Sequence, residues 1–446
     1  MLQKSIKRLP STTFKSELMF YSTKQTTSNI DDSDRKKSLG EKSEKEKQKL
    51  YHSSRERRVP SSRVARLANY GGLAFGLGVG AIAEVVKRQL GVSNNNGTGL
   101  LDQSPFLTKE NAERIVNTLC KVRGAALKLG QMISIQDNAL ISPELQQIFE
   151  RVRYGADFMP IKQLHSVLER ELGPDWREKF QIFEEKPLAA ASIGQVHRAV
   201  TKDGREVALK VQYPGVAESI ESDINNLTGV LTYSNLLPKG LYLESMITVA
   251  REELALECDY LNEAKSSKKF KQLIAPYNDY YVPFVVDELT TKHLFASELI
   301  FGLPLDKCEN LDQETRNWIG ERILRLCLKE LFVFKFMQTD PNWSNFFYDA
   351  KNKKIILLDF GACRQFGQKF TDQYLTIIKA AADKDKRKIV EYSRKIGFLT
   401  GYESKILGDR NLLLKAAPNP PRLPSCIIMY CSKSYCSTDT SSKAGK

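Results

Sequence analysis

The sequence predicts a two-lobed α+β fold preceded by a helical extension and one short membrane helix. Three observations predict it. Short β-rich runs cluster between residues 180 and 212, helical stretches follow them in one continuous unit, and a glycine-rich segment with a single charge stands well upstream. Strands first and helices later in one unit is an α+β pattern. At 446 residues the chain is long enough for two lobes with sizeable cores.

From the N-terminus, residues 1–30 carry five Lys/Arg and one acid, Glu17, among many Ser and Thr. That composition reads as a mitochondrial presequence, with a disordered basic tail as the alternative. Residues 31–68 are dense in both charge signs and read as a solvated linker. The texture then changes. "NYGGLAFGLGVGAIAEVV" has only Glu84 as a charge, is flanked by Arg63, Arg66, Lys87 and Arg88, and places Gly72, Gly76 and Gly80 four apart on one helical face. Residues 69–88 are therefore expected to form a membrane helix that self-associates as a homodimer through those glycines. A glycine-rich loop or a buried soluble helix is the alternative.

Residues 105–175 show apolar repeats at three- and four-residue intervals and read as helices. One is expected to start at Ser142–Pro143, and another, "MPIKQLHSVLEREL", to close at Gly173–Pro174. Residues 178–300 should form the strand-rich lobe, with Asp203–Gly204 as a hairpin turn, helices near 216–230 and 242–274, and strands near 281–299. Residues 301–406 should form a partial second lobe with a long helix near 311–337. Residues 407–446, rich in Pro, Ser and Cys, lack helical periodicity and read as a divergent, disordered tail.

Composition excludes several functions. Of the net charge of +14, residues 1–68 hold +9 and residues 407–446 hold +4, leaving +1 for everything between. A nucleic-acid-binding core would concentrate that charge in the folded domain, so no nucleic-acid partner is expected. Eight scattered cysteines without a CxxC pair argue against a disulfide framework, and four unpaired histidines against a His-based metal site.

The chemistry-bearing residues are defined by their order. Phosphoryl transfer needs a lysine on the nucleotide phosphates, carboxylates and an amide on the metal ions, and a positioned base. In the protein-kinase arrangement a phosphate-covering loop comes first, then a strand lysine, a helix glutamate, D-x4-N in a loop, and DFG after a strand. This chain has "AAASIGQVH" at 189–197, "VALK" ending at Lys210, a helical run with Glu257 and Glu263, "DPNWSN" at 340–345 and "LLDFG" ending at Gly361. Each alone is commonplace. Together and in order, they predict a nucleotide–metal site at Asp340, Asn345 and Asp359.

The combination of "KLGQ" (128–131), "AAASIGQVH", "ECDYLNEA", "QTDPNWSN" and "LLDFGACR" resembles the UbiB family of atypical, protein-kinase-like proteins, over about residues 60–403. The presequence and glycine-rich helix resemble its mitochondrial branch, which serves coenzyme Q biosynthesis. The resemblance implies a bilobal protein-kinase-like fold and ATP or ADP with Mg²⁺ as cofactors. It further implies a matrix-facing place on the mitochondrial inner membrane, with other coenzyme Q biosynthesis proteins, lipids or quinone intermediates as partners. It assigns Lys210 to the phosphates, paired with Glu257, Asp340 to the base position, and Asn345 and Asp359 to Mg²⁺. Leu188, Ala189, Ala190, Ala191 and Ser192 would cover the phosphates, and Ser297, Glu298, Leu299 and Ile300 would form the hinge against adenine. Lys128, Gly130 and Gln131, the KxGQ motif, would belong to a helical extension folded over the protein-substrate site.

Two features separate the chain from conventional protein kinases. Alanines replace glycines in the phosphate loop, and a Cβ at each position limits how closely backbone approaches phosphate. There is also no "HRD" and no "APE" segment after Asp359. The expected function is an ATP-binding atypical kinase or ATPase acting on a small molecule or driving complex assembly. A conventional Ser/Thr protein kinase and a catalytically silent, nucleotide-sensing scaffold are the alternatives. The C-lobe helices of the family pattern are missing after about residue 403, so a divergent terminus is expected.

Overall fold

A computed structural model describes residues 56–89, 108–125, 127–128, 147–148, 151–152, 157–233, 243–340 and 342–399. All lie in one compact unit. The expected presequence, most of the linker, Gly130, Gln131, the helix start at Ser142 and the tail from residue 400 lie outside these residues.

Helix α1 (Arg63–Gln89) starts six residues before the expected boundary and absorbs the end of the supposed linker. Its early start has a cause, because Arg66 is fully buried and paired with Asp223 at 2.5 Å. Helix α2 (Lys109–Val122) begins where Thr108 caps the Asn111 N–H. Gly76 and Gly80, expected between two copies, instead face α2. A Cβ on Gly80 would meet Asn111 Oδ1 at 2.3 Å, and one on Gly76 would meet Arg114 Cδ at 3.4 Å, whereas Gly72 faces open space. Helix α3 (Ile161–Leu172) buries Leu164, Val167 and Leu168 and stops at Gly173, whose φ of 93° favours glycine.

Strands β1 (Phe180–Phe183), β2 (Ala189–Ala190), β3 (Gly194–Thr201) and β4 (Glu206–Gln212) follow. Part of the alanine-rich segment expected as loop is thus strand β2, paired with β3 through Ala189↔Val196 and Ala190↔Gln195. Along β4, Val207, Leu209 and Val211 are fully buried, so the two-residue period turns Lys210 to the other face.

Helices α4 (Val216–Tyr233), α5 (Leu243–Glu257) and α6 (Tyr260–Ile274) come next. The expected continuous helix over 242–274 is two helices. Asp259 breaks it by capping the Asn262 N–H, as a short polar side chain does in preference to continuing a helix. Strand β5 (Tyr280–Tyr281) and strand β6 (Leu294–Glu298), within the stretch where strands were expected, flank a 3₁₀ turn at Asp287–Leu289. Together β1, β3, β4 and β6 form the N-lobe sheet in that spatial order, with β2 on β3.

Past β7 (Leu303–Pro304), α7 (Gln313–Lys329) is capped by Asp312. It ends earlier than expected, because a wide turn over Glu330–Phe334 and a left-handed Lys335 lead into β8 (Phe336–Gln338). Strands β9 (Phe346–Asp349), β10 (Lys354–Leu357) and β11 (Cys363–Gln365), then helices α8 (Gln368–Ala382) and α9 (Lys386–Lys395), complete the described fold. β10 lies between β5 and β9, and Ile355, Ile356 and Leu357 are all buried, which is why "KIILL" reads as a continuous apolar run. One apolar core joins α1–α5 to the N-lobe sheet, and a second fills the C-lobe. This is a kinase-like arrangement of two lobes around one cleft.

Candidate active site

Lys210 projects from β4 into the cleft. Its Nζ donates to both carboxylate oxygens of Glu263 at 3.1 Å and approaches Asp359 Oδ2 at 3.5 Å. The partner expected for Lys210 was Glu257, and this is corrected. On one unbroken helix Glu257 and Glu263 would point to different sides, six residues apart. The break at Asp259 leaves Glu257 at the end of α5 and Glu263 on α6 beneath Lys210.

Glu257 has a different partner. Lys128, buried in the helical extension, donates from Nζ to Glu257 Oε1 at 2.6 Å, and lies 3.0 Å from Glu253 and 3.7 Å from Asp340. The expected closeness of Lys128 to the site is thus realised, although the two sequences lie on opposite sides of the alanine-rich loop. Ser192 Oγ also donates to Glu257, at 3.1 Å, tying that loop into the same network.

Asp340 and Asp359 are delivered by two short strands. Thr339 bonds the Ala362 carbonyl through both its N–H, at 3.2 Å, and its Oγ1, at 2.7 Å, while β8 pairs with β11. The segment before Asp340 is thereby stitched to the segment after Asp359. Phe360 packs on Phe270 of α6, ring centroids 5.1 Å apart, which couples the DFG turn to the helix carrying Glu263. Asn345 ends a 3₁₀ turn, and its carbonyl accepts from the Leu358 N–H at 3.0 Å. So three segments converge: Lys210 of β4 reaches Asp359, Asp340 meets Lys128, and Asn345, in the loop that begins at Asp340, is tied through its carbonyl to Leu358 beside Asp359.

Charge in the cleft is unbalanced. Five carboxylates (Glu253, Glu257, Glu263, Asp340 and Asp359) face two ammonium groups, Lys128 and Lys210. Burial, with Glu257 and Asp359 nearby, pushes the Asp340 carboxyl up to about 6 despite the opposing pull of Lys128. Burial also pushes Glu263 up to about 7, against the attraction of Lys210. Burial opposes ionising Asp359 too, but Lys210 and the Gly361 N–H hold its carboxyl below the ordinary value. For Lys210 and Lys128 burial favours the neutral amine, and the surrounding carboxylates outweigh it, keeping both charged.

That excess of hard oxygen donors suits a divalent cation. Among the described residues no cluster of three or more His, Cys, Asp or Glu side chains could chelate a metal unaided. A Mg²⁺ shared with substrate phosphates needs only one or two carboxylates, so Asp359 with Asn345 fits.

The other expected residues sit in the alanine-rich turn and at the end of β6. The Leu188 N–H bonds the Val196 carbonyl at 2.7 Å, and Ala191 N–H bonds Gly194 at 2.7 Å, closing the alanine-rich turn. Ser297 and Glu298 end β6 against Ala208 and Val207, and the Leu299 N–H bonds Glu206 at 3.1 Å, with Ile300 following. The Glu298 carboxylate accepts from the Tyr281 hydroxyl at 2.6 Å, which braces the end of β6.

Sequence reasoning missed Arg123. Wholly buried and in the left-handed region (φ 60°), it donates to the Ala191 carbonyl at 3.3 Å and to the Tyr213 hydroxyl. Beside it the Gly124 N–H bonds the Ser192 carbonyl at 3.0 Å. The pair pins the helical extension onto the alanine-rich loop. An Arg–Gly dipeptide after an apolar helix is the only trace of this in the sequence.

Comparison with known proteins identifies the family. Residues 151–393 match the ABC1 atypical kinase-like domain. The mitochondrial atypical kinase COQ8B of Danio rerio is 57% identical over 366 residues, covering 82% of this chain and 58% of that protein. The mitochondrial atypical kinase coq-8 of Caenorhabditis elegans is 55% identical over 363 residues, covering 80% of this chain and 48% of that protein. The chain thus spans about half the length of these two relatives. A solved structure of Rv3197 with erythromycin, from Mycobacterium tuberculosis, is 24% identical and covers 76% of this chain and 85% of its own, with a TM-score of 0.48.

Proposed function

The chain belongs to the ABC1 atypical kinase-like family, and from that premise we propose that it is a mitochondrial, ATP-binding kinase or ATPase that supports coenzyme Q biosynthesis. Its place in this reading is the matrix face of the inner membrane, alongside other proteins of that pathway and their lipid-soluble intermediates. The observation that carries the reading is the joining of Lys210 to Glu263 and Asp359 in the cleft that also holds Asp340.

The residues divide the work. Lys210, held charged and aimed by Glu263, contacts nucleotide phosphates. Asp359 and Asn345 would hold Mg²⁺, which when bound would neutralise phosphate charge. Asp340 is the base. With its carboxyl near 6 it is mostly ionised at neutral pH, yet basic enough to take a proton from an acceptor hydroxyl or water. The alanine-rich turn, fixed by Arg123 and Gly124, limits how deeply the phosphates sit. The direct run from Asp359 to α8 supports a small-molecule acceptor or ATP hydrolysis coupled to assembly, because it leaves little chain to seat a protein substrate.

The test is Mg²⁺-dependent thermal stabilisation by ATP, followed by turnover with lipid vesicles and with a protein panel. Wild type should be stabilised, and Asp359→Asn should lose most of that shift, since only ligand bound to the native state stabilises. Equal shifts in both proteins would sink the site assignment. Phosphate transfer to the protein panel would indicate a conventional protein kinase, and binding without turnover a scaffold.

A further inference from the structure

Helix α6 carries the site on one side and an unused basic surface on the other. Inward, Glu263 pairs with Lys210, and Phe270 packs on the Phe360 ring of the DFG turn. About half a turn round the helix, Leu261, Lys265, Lys268 and Gln272 recur at four- and three-residue intervals, all exposed. Opposite this stripe stands the 3₁₀ turn at Asp287–Leu289. Between helix and turn runs an open groove of about 610 Å³, with Ala264 on one wall and Thr290 on the other.

The groove concentrates positive charge beside apolar surface. Lys265, Lys268 and Lys269 line it against one acid, Asp287, which leaves +2 there. Residues 69–406 together carry only +1, so the concentration is local. Lys268 is committed to Asp287 across the groove, and Lys269 Nζ lies 4.0 Å over the Phe336 ring. Among the described residues, neither Lys265 nor Lys269 has a carboxylate partner. One turn before Lys265, Leu261 is 53% exposed.

From this arrangement we infer that the groove docks an acidic segment of a partner protein, and that its occupation steadies α6 behind the Lys210–Glu263 pair. Charge complementarity sets the sign of the partner. Its carboxylates meet Lys265 and Lys269, one helical turn apart, while an apolar side chain beside them covers Leu261 and Ala264. A phosphate-bearing ligand fits less well. No arginine is among the described lining residues to fork onto phosphate, and Asp259 already caps the start of α6. A lipid surface fits less well too, because a bilayer cannot enter a concave groove bridged by Lys268 and Asp287. One hydrogen-bonded helix presents both faces, so fixing the outer one fixes the aim of Glu263 and the seat of Phe360. The docking stands on α6 alone, and only its consequence for nucleotide rests on the proposed function.

The experiment titrates the full chain into a fluorescein-labelled Glu-Asp-Phe-Leu-Glu-Asp peptide and reads anisotropy. Binding should saturate and weaken as NaCl is raised. Lys265→Glu reverses an exposed charge and gives Lys269 a partner along the helix, so affinity should fall at least about fivefold. Its melting temperature should match that of the exposed control Lys369→Glu, which should bind as wild type does. Serine in place of the peptide's Phe and Leu should cost about fivefold. Bound peptide should slow amide exchange in α6 and at Asp359–Gly361 in wild type. It should also tighten Mg²⁺–ATP about fivefold, with ATP tightening peptide by the same factor. Equal binding by wild type and Lys265→Glu overturns the inference, as does equal binding of the serine peptide. Displacement by pyrophosphate at the peptide's own concentration would make the groove a phosphate site, and unaltered exchange in α6 would refute the steadying. A chain that binds peptide through Lys265 and protects α6 but takes up no Mg²⁺–ATP defeats the proposed function and leaves this docking site standing.

Discussion

Replacing Lys128 with alanine removes the one ammonium group that, among the described residues, the helical extension places among the site's acids. Three carboxylates, Glu257, Glu253 and Asp340, then face one another at the positions they hold within 2.6, 3.0 and 3.7 Å of Nζ. Breaking a buried pair by removing one partner costs about 3–5 kcal/mol. Asp340 is 28% exposed and the two glutamates 15%, so water relieves part of that and the lower end, about 3 kcal/mol, is expected. At roughly 2 °C per kcal/mol for a chain of this size, the melting temperature should fall by about 6 °C. Mg²⁺ would replace the missing positive charge, so the loss should be largest in EDTA and shrink in millimolar MgCl₂. Differential scanning fluorimetry in both buffers, with exposed Lys162→Ala as the control, reads the effect directly. If Lys128→Ala melts with the control in EDTA, the network does not hold the extension to the site. An equal loss with and without Mg²⁺ would mean these acids do not share a cation.

Glu263→Gln tests the raised carboxyl beneath Lys210. The folded chain keeps this proton up to about pH 7 while the unfolded chain loses it near 4.5, so its contribution is fully present below 4.5 and declines as pH rises to 7. The variant should flatten the fall of the urea midpoint across that window, and an unchanged slope refutes the assignment. Arg123→Met strips donors from the Ala191 carbonyl and the Tyr213 hydroxyl, and should destabilise the chain by about 2 kcal/mol while weakening ADP binding in titration calorimetry. Lost stability with unaltered ADP affinity would make Arg123 a packing residue only. Gly80→Leu should destabilise by about 1–3 kcal/mol because its Cβ meets Asn111, whereas Gly72→Leu should not; equal melting temperatures would return these glycines to a contact between copies.

Much of the fold was legible because its signals are local. The alternation in "EVALKVQ" turns Lys210 away from the core, and the apolar run "KIILL" delivers Asp359, as a central strand must. Asp340 and Asp359, which lie beside Lys128 and Lys210, were legible from order alone, since each follows closely on a short strand. What local patterns hide is a partner chosen across the fold. "ELALECDYLNEAKS" is apolar and charged at helical intervals throughout, and nothing in that periodicity marks Asp259 as a cap rather than a surface acid. Missing that break reassigns both glutamates. It gives Lys210 the wrong partner and leaves Lys128 without one.

The glycine-rich helix fails to declare itself for a related reason. Spacing of Gly72, Gly76 and Gly80 shows that something approaches closely, but not whether it comes from another chain or from α2. The discriminating residue is Arg66, which a hydropathy reading treats as a basic flank. An arginine at a membrane boundary stays in contact with headgroups or water. Here it is fully buried against Asp223, so the helix is bound to the domain before any lipid is considered. The same device recurs at Lys128 and Arg123. Three basic side chains, each unremarkable in the sequence, are buried where α1 and the helical extension meet the kinase-like lobes. Each is costly to strand, which makes the docking of these N-terminal helices cooperative with the geometry of the site they cover.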